Sequence, residues 1–224
     1  MKKILLSLFV VSLLFTVTGC LGKEKSVKKK DNSKKIYGVV EEYSSMDDTT
    51  KKYSDYKYDK KTGLIEEYKE QNGAYTTTYK LSYDDNKNLI KKEEIFKDTL
   101  TATYTYNSDN TISKLSYTST NPSNIDHGKV FEYRDYKKDD KDRVISYSTY
   151  NITRDNYKMD YTFKYDNKDR VIEETQTTDK SSYTIKYKYD KNGNKIETKT
   201  YKGNSSFSTF YKTYKYKVIG TYKK

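Results

Sequence analysis

The chain has one cysteine, one proline, one histidine and no tryptophan among its 224 residues. A single cysteine forbids an internal disulfide, so the folded part must hold together by packing alone. A single histidine, His127, leaves a histidine-based triad with every partner to find elsewhere, and it leaves no zinc site of the usual kind. Glycine-rich nucleotide loops and the Gly-x-Ser-x-Gly elbow are missing too. On these grounds we assign no catalytic residue, cofactor or metal, and the chain reads as non-enzymatic. Past the N-terminal leader, no stretch keeps a 3.6-residue apolar stripe for three turns. Helical architecture is excluded.

What the chain has instead is tyrosine, 27 residues of it, in a recurring unit. The clearest copy runs Tyr161-Thr-Phe-Lys-Tyr-Asp-Asn-Lys-Asp-Arg-Val-Ile-Glu-Glu174. Aromatics alternate with polar residues, a polar turn follows, and Val171-Ile172 opens a second run. That pattern spells a β-hairpin. Tyr58 to Ile65 and Tyr83 to Ile90 repeat it, and Tyr106 to Ile112 is a weaker copy. Tyr136 to Ile145 carries two extra turn residues, Tyr189 to Ile196 moves its aliphatic one place along, and Tyr216 heads a truncated last copy. The lead tyrosines are 23 to 30 residues apart, and units of this kind bury little alone and must stack on their neighbours. About seven hairpin units make one all-β, antiparallel domain over residues 36–224.

The Tyr-x-Tyr-Asp-x-x-Gly-Arg-Leu unit resembles the tyrosine–aspartate (YD) repeats of bacterial Rhs-type and teneurin-like surface proteins. Phe163-Lys-Tyr-Asp-Asn-Lys-Asp-Arg-Val171 fits at most positions, with Asp169 where the family has Gly. Tyr187-Lys-Tyr-Asp-Lys-Asn-Gly193 restores that Gly but puts Asn194 in place of Arg. The resemblance covers roughly residues 53–222 and implies β-hairpins that spiral into a shell. No segment looks like the family's self-cleaving core or C-terminal toxin, so encapsulation is not implied.

The N-terminus fixes the compartment. Met1-Lys2-Lys3 and the apolar run Ile4 to Val17 form a secretory leader, closed by Val17-Thr-Gly-Cys20. This closure resembles the lipobox of bacterial lipoproteins, which implies cleavage after Gly19 and a diacylglycerol on Cys20. The alternatives are an ordinary leader with an incidental cysteine, or an uncleaved anchor, for which the run is short. Residues 1–19 are thus read as signal peptide and 20–35 as a lipidated, lysine-rich, disordered tether. Of the net charge of +12, the tether holds +5 and the leader +2, so the folded part carries only about +5. The tether's lysines are expected either to be drawn to anionic headgroups or to form only a solvated spacer. Partners are therefore the membrane, through Cys20 and the tether, and a protein or polysaccharide ligand; nucleic acid is excluded by compartment and charge, and the chain is read as monomeric. Leu21 lacks the acidic inner-membrane retention signal, so the exported face of the cell membrane or outer membrane is expected. An envelope-facing assembly, chaperone or immunity lipoprotein is the alternative.

Tyrosine is a poor residue for a deep core because each buried hydroxyl needs a partner. It suits a thin sheet whose rings pack across strands while the hydroxyls reach water. The expected form is an extended, curved, largely single-layer sheet, with a flattened barrel or sandwich as the alternative. Lysine-rich single-layer sheets of spirochaete surface lipoproteins look similar, with a different repeat. Ile36 to Tyr53 reads as a capping hairpin, and Thr118 to Gly128, with the lone Pro122 and His127, as a disordered insertion. The acidic turns Asp139–Asp142, Asp166–Asp169 and Asp190–Asn194 offer oxygen atoms to Ca²⁺ but lack a closing Glu and are interrupted by Lys, so they read as turn chemistry.

Overall fold

Side chains that alternate along a strand give it two different faces, and here the tyrosine face turns inward. The computed structural model describes residues 33–45, 48–155, 157–191, 193–202 and 210–223. The leader, Cys20 and most of the tether lie outside them. Fourteen strands and no helix appear among the described residues. They are β1 (Ser33–Ser44), β2 (Thr49–Tyr58), β3 (Ile65–Asn72), β4 (Tyr75–Tyr83), β5 (Leu89–Ile95), β6 (Thr99–Tyr106) and β7 (Ile112–Ser119), followed by β8 (Val130–Lys138), β9 (Val144–Asn151), β10 (Tyr157–Tyr165), β11 (Val171–Thr177), β12 (Ser182–Tyr189), β13 (Lys195–Lys202) and β14 (Phe210–Lys223). All pairings are antiparallel between chain neighbours, and β1 pairs with β14 from Ser33↔Lys223 to Ser44↔Lys212. The sheet therefore does not stay open. It closes into a barrel, the alternative expected from the sequence, with β1 pairing β2 only over Glu41–Ser44 and β14 pairing β13 only over Phe210–Thr213.

Closure also changes the role of the first hairpin. Ile36 to Tyr53 does not cap an end; β1 is the seam strand, and it already includes Ser33, Lys34 and Lys35. The seam needs close backbone approach. A Cβ on Gly220 would strike the Tyr58 ring and hydroxyl, and one on Gly63 would stand 2.6 Å from the Tyr222 ring. Glycine suits position 63 for its φ of 75° as well, while a side chain at Gly220 would have to displace the end of Tyr58.

The repeat has a clasp. The Tyr83 hydroxyl donates to the Ile65 carbonyl at 2.8 Å, Tyr106 to Leu89 at 2.7 Å, Tyr136 to Ile112 at 2.7 Å, Tyr165 to Val144 at 2.6 Å and Tyr189 to Val171 at 2.7 Å. Each of these five lead tyrosines thus ties its hairpin to the first inward aliphatic of the hairpin before. This corrects the expectation that the hydroxyls reach water. In the first copy the clasp is Tyr56, bonded to the Val39 carbonyl, rather than Tyr58. Tyr56 and Tyr136 share a local device: Asp55 and Asp135 take positive φ just before them, with a register shift in each strand. The two extra residues after Tyr136, Lys137 and Lys138, stand in the strand, paired with Ser146 and Val144, rather than in the turn, and the bulge before them holds Asp135 and Tyr136.

Five of the six turns share one length, and the β2–β3 turn, closed by Asp59 N–H on the Leu64 carbonyl, is one residue longer. Asp166 N–H donates to the Arg170 carbonyl, its carboxylate accepts from the N–H groups of Lys168 and Arg170, and Arg170 Nε returns to it at 2.8 Å. Asp139 and Arg143 repeat this arrangement, and Asp84 and Asp190 bond Asn88 and Asn194 similarly. The family's glycine position is left-handed throughout, at Gly63, Lys87, Asn110, Asp142, Asp169 and Gly193. Asp and Asn tolerate that conformation better than most residues, which is why the glycine is dispensable. The arginines then stack outward of the clasp: Arg143 lies 4.6 Å from the Tyr165 ring centroid and Arg170 4.5 Å from that of Tyr189.

Candidate binding surface and interior site

Antiparallel order puts the six polar turns, the start of β1 and the end of β14 at one pole of the barrel. The opposite pole carries the variable connections. Its exposed side chains include Tyr75, Phe96, Ile125, Ile152 and Tyr157. These come from four successive connections, β3–β4, β5–β6, β7–β8 and β9–β10, so they follow one half of the rim. Tyr75 and Phe96 meet edge to face at 5.6 Å. The long β7–β8 connection is pinned beside them: Thr120 N–H donates to the Thr99 carbonyl, and Asn121 Nδ2 donates to Asp98 at 2.9 Å. Turn bonds Asn124→Asn121 and His127→Asn124 hold its interior. The insertion is an ordered loop, against the expectation of disorder, because the Ser119, Asn121 and Asn124 side chains accept from its backbone N–H groups at Asn121, Ser123 and Asp126. His127 serves the same end, its Nδ1 accepting the Ser119 N–H at 3.0 Å.

The outer wall is charged. Lys57 pairs with Glu67, Glu173 with Lys164 and Lys186, and Glu197 with Lys188 and Lys199. A lipid-spanning barrel presents an apolar band there, whereas this wall is built for water. Most tyrosines point inward, as in the stacked pairs Tyr68–Tyr79 at 4.8 Å and Tyr147–Tyr161 at 4.7 Å.

The interior divides in two. Around Leu115, only 1% exposed, Ala102, Ile112, Tyr117 and Tyr133 make an apolar core. Under β1 to β5 it is polar: Glu42 pairs with Lys212 at 2.7 Å and accepts from Tyr53, while Glu70 pairs with Lys51 at 2.9 Å and accepts from Tyr79. Lys92 lies over the Tyr79 ring at 4.8 Å, and burial lowers its pKa. These charges answer one another, which burial demands.

A second polar group sits under β11 to β13. Glu174 is buried, accepting from Gln176 at 2.7 Å and from the Tyr187 hydroxyl at 2.8 Å. Its sequence neighbour Glu173 faces the outside, so the two carboxylates do not act as a pair. Lys195 lies 3.8 Å from the Tyr187 ring centroid, and burial lowers its pKa to about 8. Sequence reasoning passed over this residue. The signal was present: Lys195 takes the place opposite the lead tyrosine that Ile65, Leu89, Ile112 and Val171 take elsewhere, and that Val144 takes opposite Lys138. The aliphatic has not moved along; Ile196 faces outward like Ile90 and Ile172. The expected site residue Cys20 lies outside the described residues.

No family model and no curated protein matches the chain. Among solved structures there is a weak likeness to the crystal structure of TcdB2-TccC3-TEV, at 9% identity and a TM-score of 0.24. It covers 72% of this chain and 12% of that one.

Proposed function

We propose that this chain is a lipid-anchored, non-enzymatic module of a bacterial cell envelope that holds a protein partner at the loop pole. The observation that carries the reading is polarity along the barrel axis. β1 enters at the turn pole, so the tether and the Cys20 lipid would hold that pole to the membrane. The half-ring Tyr75, Phe96, Ile125, Ile152 and Tyr157 then faces away, at a distance of roughly 25–40 Å for strands of this length. Aromatic and aliphatic side chains exposed together fit the apolar core of a protein interface better than the hydroxyls of a polysaccharide. The charged wall supports attachment by lipid rather than by insertion. Descent of the hairpin unit from the YD-repeat kind is part of this reading, and the clasped Tyr-Asp turn supports it.

Two experiments test it. Cys20→Ser abolishes fatty-acid labelling and frees the chain from the membrane fraction; a variant that stays bound with its leader intact overturns the anchor. A photocrosslinking residue at position 125 gives a discrete protein adduct in cells, and the same residue at position 164 on the wall gives none. Equal adducts, or none at 125, overturn the rim as the binding surface.

A further inference from the structure

The seam gathers positive charge on one side of the turn pole. Lys34 and Lys35 of β1 pair with Tyr222 and Thr221 of β14, and the Tyr222 ring lies against Gly63 of the β2–β3 turn. That contact brings Lys34 and Lys35 to the same corner as Lys60 and Lys61. From the other side, Tyr216 stands within reach of the Asp190 charge in the β12–β13 turn, which adds Lys191 and Lys217. Five of these six lysines are exposed, and Lys34 is half-buried. Among the described residues, none of the six has a carboxylate within ion-pair distance. The carboxylates of this sector are Asp59, Glu66 and Asp190, and the turns' own N–H groups already bond Asp59 and Asp190. Val218, in the same stretch of β14, is 48% exposed. The far side of the pole has the opposite sign: its turns β4–β5, β6–β7 and β8–β9 hold six aspartates against Lys87, Lys141 and Arg143.

We propose, resting on the reading of Cys20 as the anchor, that this seam sector is a docking surface for anionic lipid headgroups, so that the folded barrel itself sits on the membrane. Ser33 follows Cys20 by thirteen residues. A stretch of that length spans at most about 45 Å, so the sector is never far from the headgroups. Their phosphate oxygens supply the counter-charge that the six lysines lack within the chain. Val218 can enter the boundary between headgroup and acyl chain beside them. The same surface repels the aspartates across the pole, and the barrel therefore leans onto its seam. In a ring of fourteen strands the seam lies opposite β7 and β8. Leaning thus lifts the half-ring of Tyr75, Phe96, Ile125, Ile152 and Tyr157 furthest from the membrane.

The test uses residues 20–224 with Cys20→Ser, the mature chain without its lipid, and vesicles of phosphatidylcholine alone or mixed equally with phosphatidylglycerol. One variant adds Lys34→Gln, Lys35→Gln, Lys60→Gln and Lys61→Gln at the seam. The other adds Lys52→Gln, Lys80→Gln, Lys114→Gln and Lys137→Gln on the wall. Both keep the tether and lose the same charge. Each lysine that reaches the headgroups strengthens binding about fivefold at low salt, so the seam variant is expected to bind mixed vesicles at least about twentyfold more weakly, and the wall variant only about threefold or less. Equal losses in the two variants overturn the docking surface, as does equal binding to both kinds of vesicle. A second measurement leaves the lysines in place. The Cys20→Ser chain has no cysteine, so one environment-sensitive dye can be attached through Thr221→Cys at the seam or Asp140→Cys across the pole. Mixed vesicles are expected to shift the emission to the blue at 221 and not at 140; the same response at both positions overturns the proposal. Fatty-acid labelling of Cys20 tests the anchor separately, so either reading can fail alone.

Discussion

The Tyr165 hydroxyl donates a 2.6 Å hydrogen bond to the main-chain carbonyl of Val144, one repeat upstream. A tyrosine whose hydroxyl reached water would lose little on conversion to phenylalanine. This one loses a bond to a carbonyl that the Arg143–Tyr165 stack helps to cover. Tyr165→Phe is expected to cost about 1 kcal/mol, and Tyr165→Ala about 2–4 kcal/mol with the ring contact gone. Urea unfolding measures both. A phenylalanine variant as stable as wild type would show water replacing the clasp at no cost. Closure of the ring bears on a second comparison: Tyr216 pairs with Val39 of β1, and its strand β14 pairs with β13 over Phe210–Thr213, so its repeat is not terminal. Tyr216→Ala should destabilise about as much as Tyr165→Ala rather than less.

The repeat is legible in the sequence because each copy is a local pattern: alternation at period two, then Asp and Asn in a turn. The strands and their antiparallel neighbours follow from that pattern. Closure is not legible, since it depends on β1 and β14 meeting across nearly the whole chain, and β1 lacks the Tyr-Asp lead. The clasp escapes for a similar reason. Its acceptor is a main-chain carbonyl, which every residue has, so no side-chain type marks it. Lys195 is visible as a departure from the repeat. It passes for a shift of register because an aliphatic, Ile196, stands next to it.

The seam yields a sharper expectation than the interior strands. Gly220 admits the Tyr58 ring, and a methyl group there would overlap it. The atoms it would overlap are the hydroxyl end of the Tyr58 ring in β2, which must shift to admit it. Gly220→Ala should therefore cost about 1–3 kcal/mol, as overpacking does. Gly73, where an added methyl group would meet nothing within 4 Å, serves as the control, because only its φ of 58° opposes alanine. Thermal melts of the two variants separate steric closure from backbone strain; a Gly220→Ala melt no lower than that of Gly73→Ala would sink the seam argument.

Lys87 stands at the left-handed position of its turn with φ 69°, where a sister turn has Gly193. Lysine lacks the short polar side chain that lets Asp142 or Asp169 accept this conformation. Lys87→Gly should relieve that strain and stabilise the domain by roughly 0.5 kcal/mol, after the extra chain entropy of glycine is subtracted. Lys87→Val, β-branched at the same place, should destabilise by more than about 1 kcal/mol. Chemical denaturation decides the order, and a valine variant as stable as the glycine one would mean the turn adopts a different backbone.

Lys195 fills an aliphatic slot at a cost in stability, and the cost has a pH signature. Lys195→Ile restores the residue type of Ile65 and Ile112 and should stabilise the fold by about 1–2 kcal/mol at pH 7. Burial lowers the folded-state pKa to about 8, below the ordinary value of 10.5. Below pH 8 both folded and unfolded chains hold the proton, and the penalty for burying the charge is full. Between pH 8 and 10.5 the unfolded chain holds more protons, so wild-type stability rises with pH relative to the variant. The buried tyrosines oppose this above pH 10, because their raised pKa values mean the unfolded chain ionises first. Taking the difference between wild type and variant cancels that contribution, which both proteins share. Urea unfolding at intervals from pH 6 to 9.5 should then show a constant gap up to about pH 7.5 and a shrinking one beyond it. A gap that stays level across the whole range would place the amine in water, charged at every pH measured.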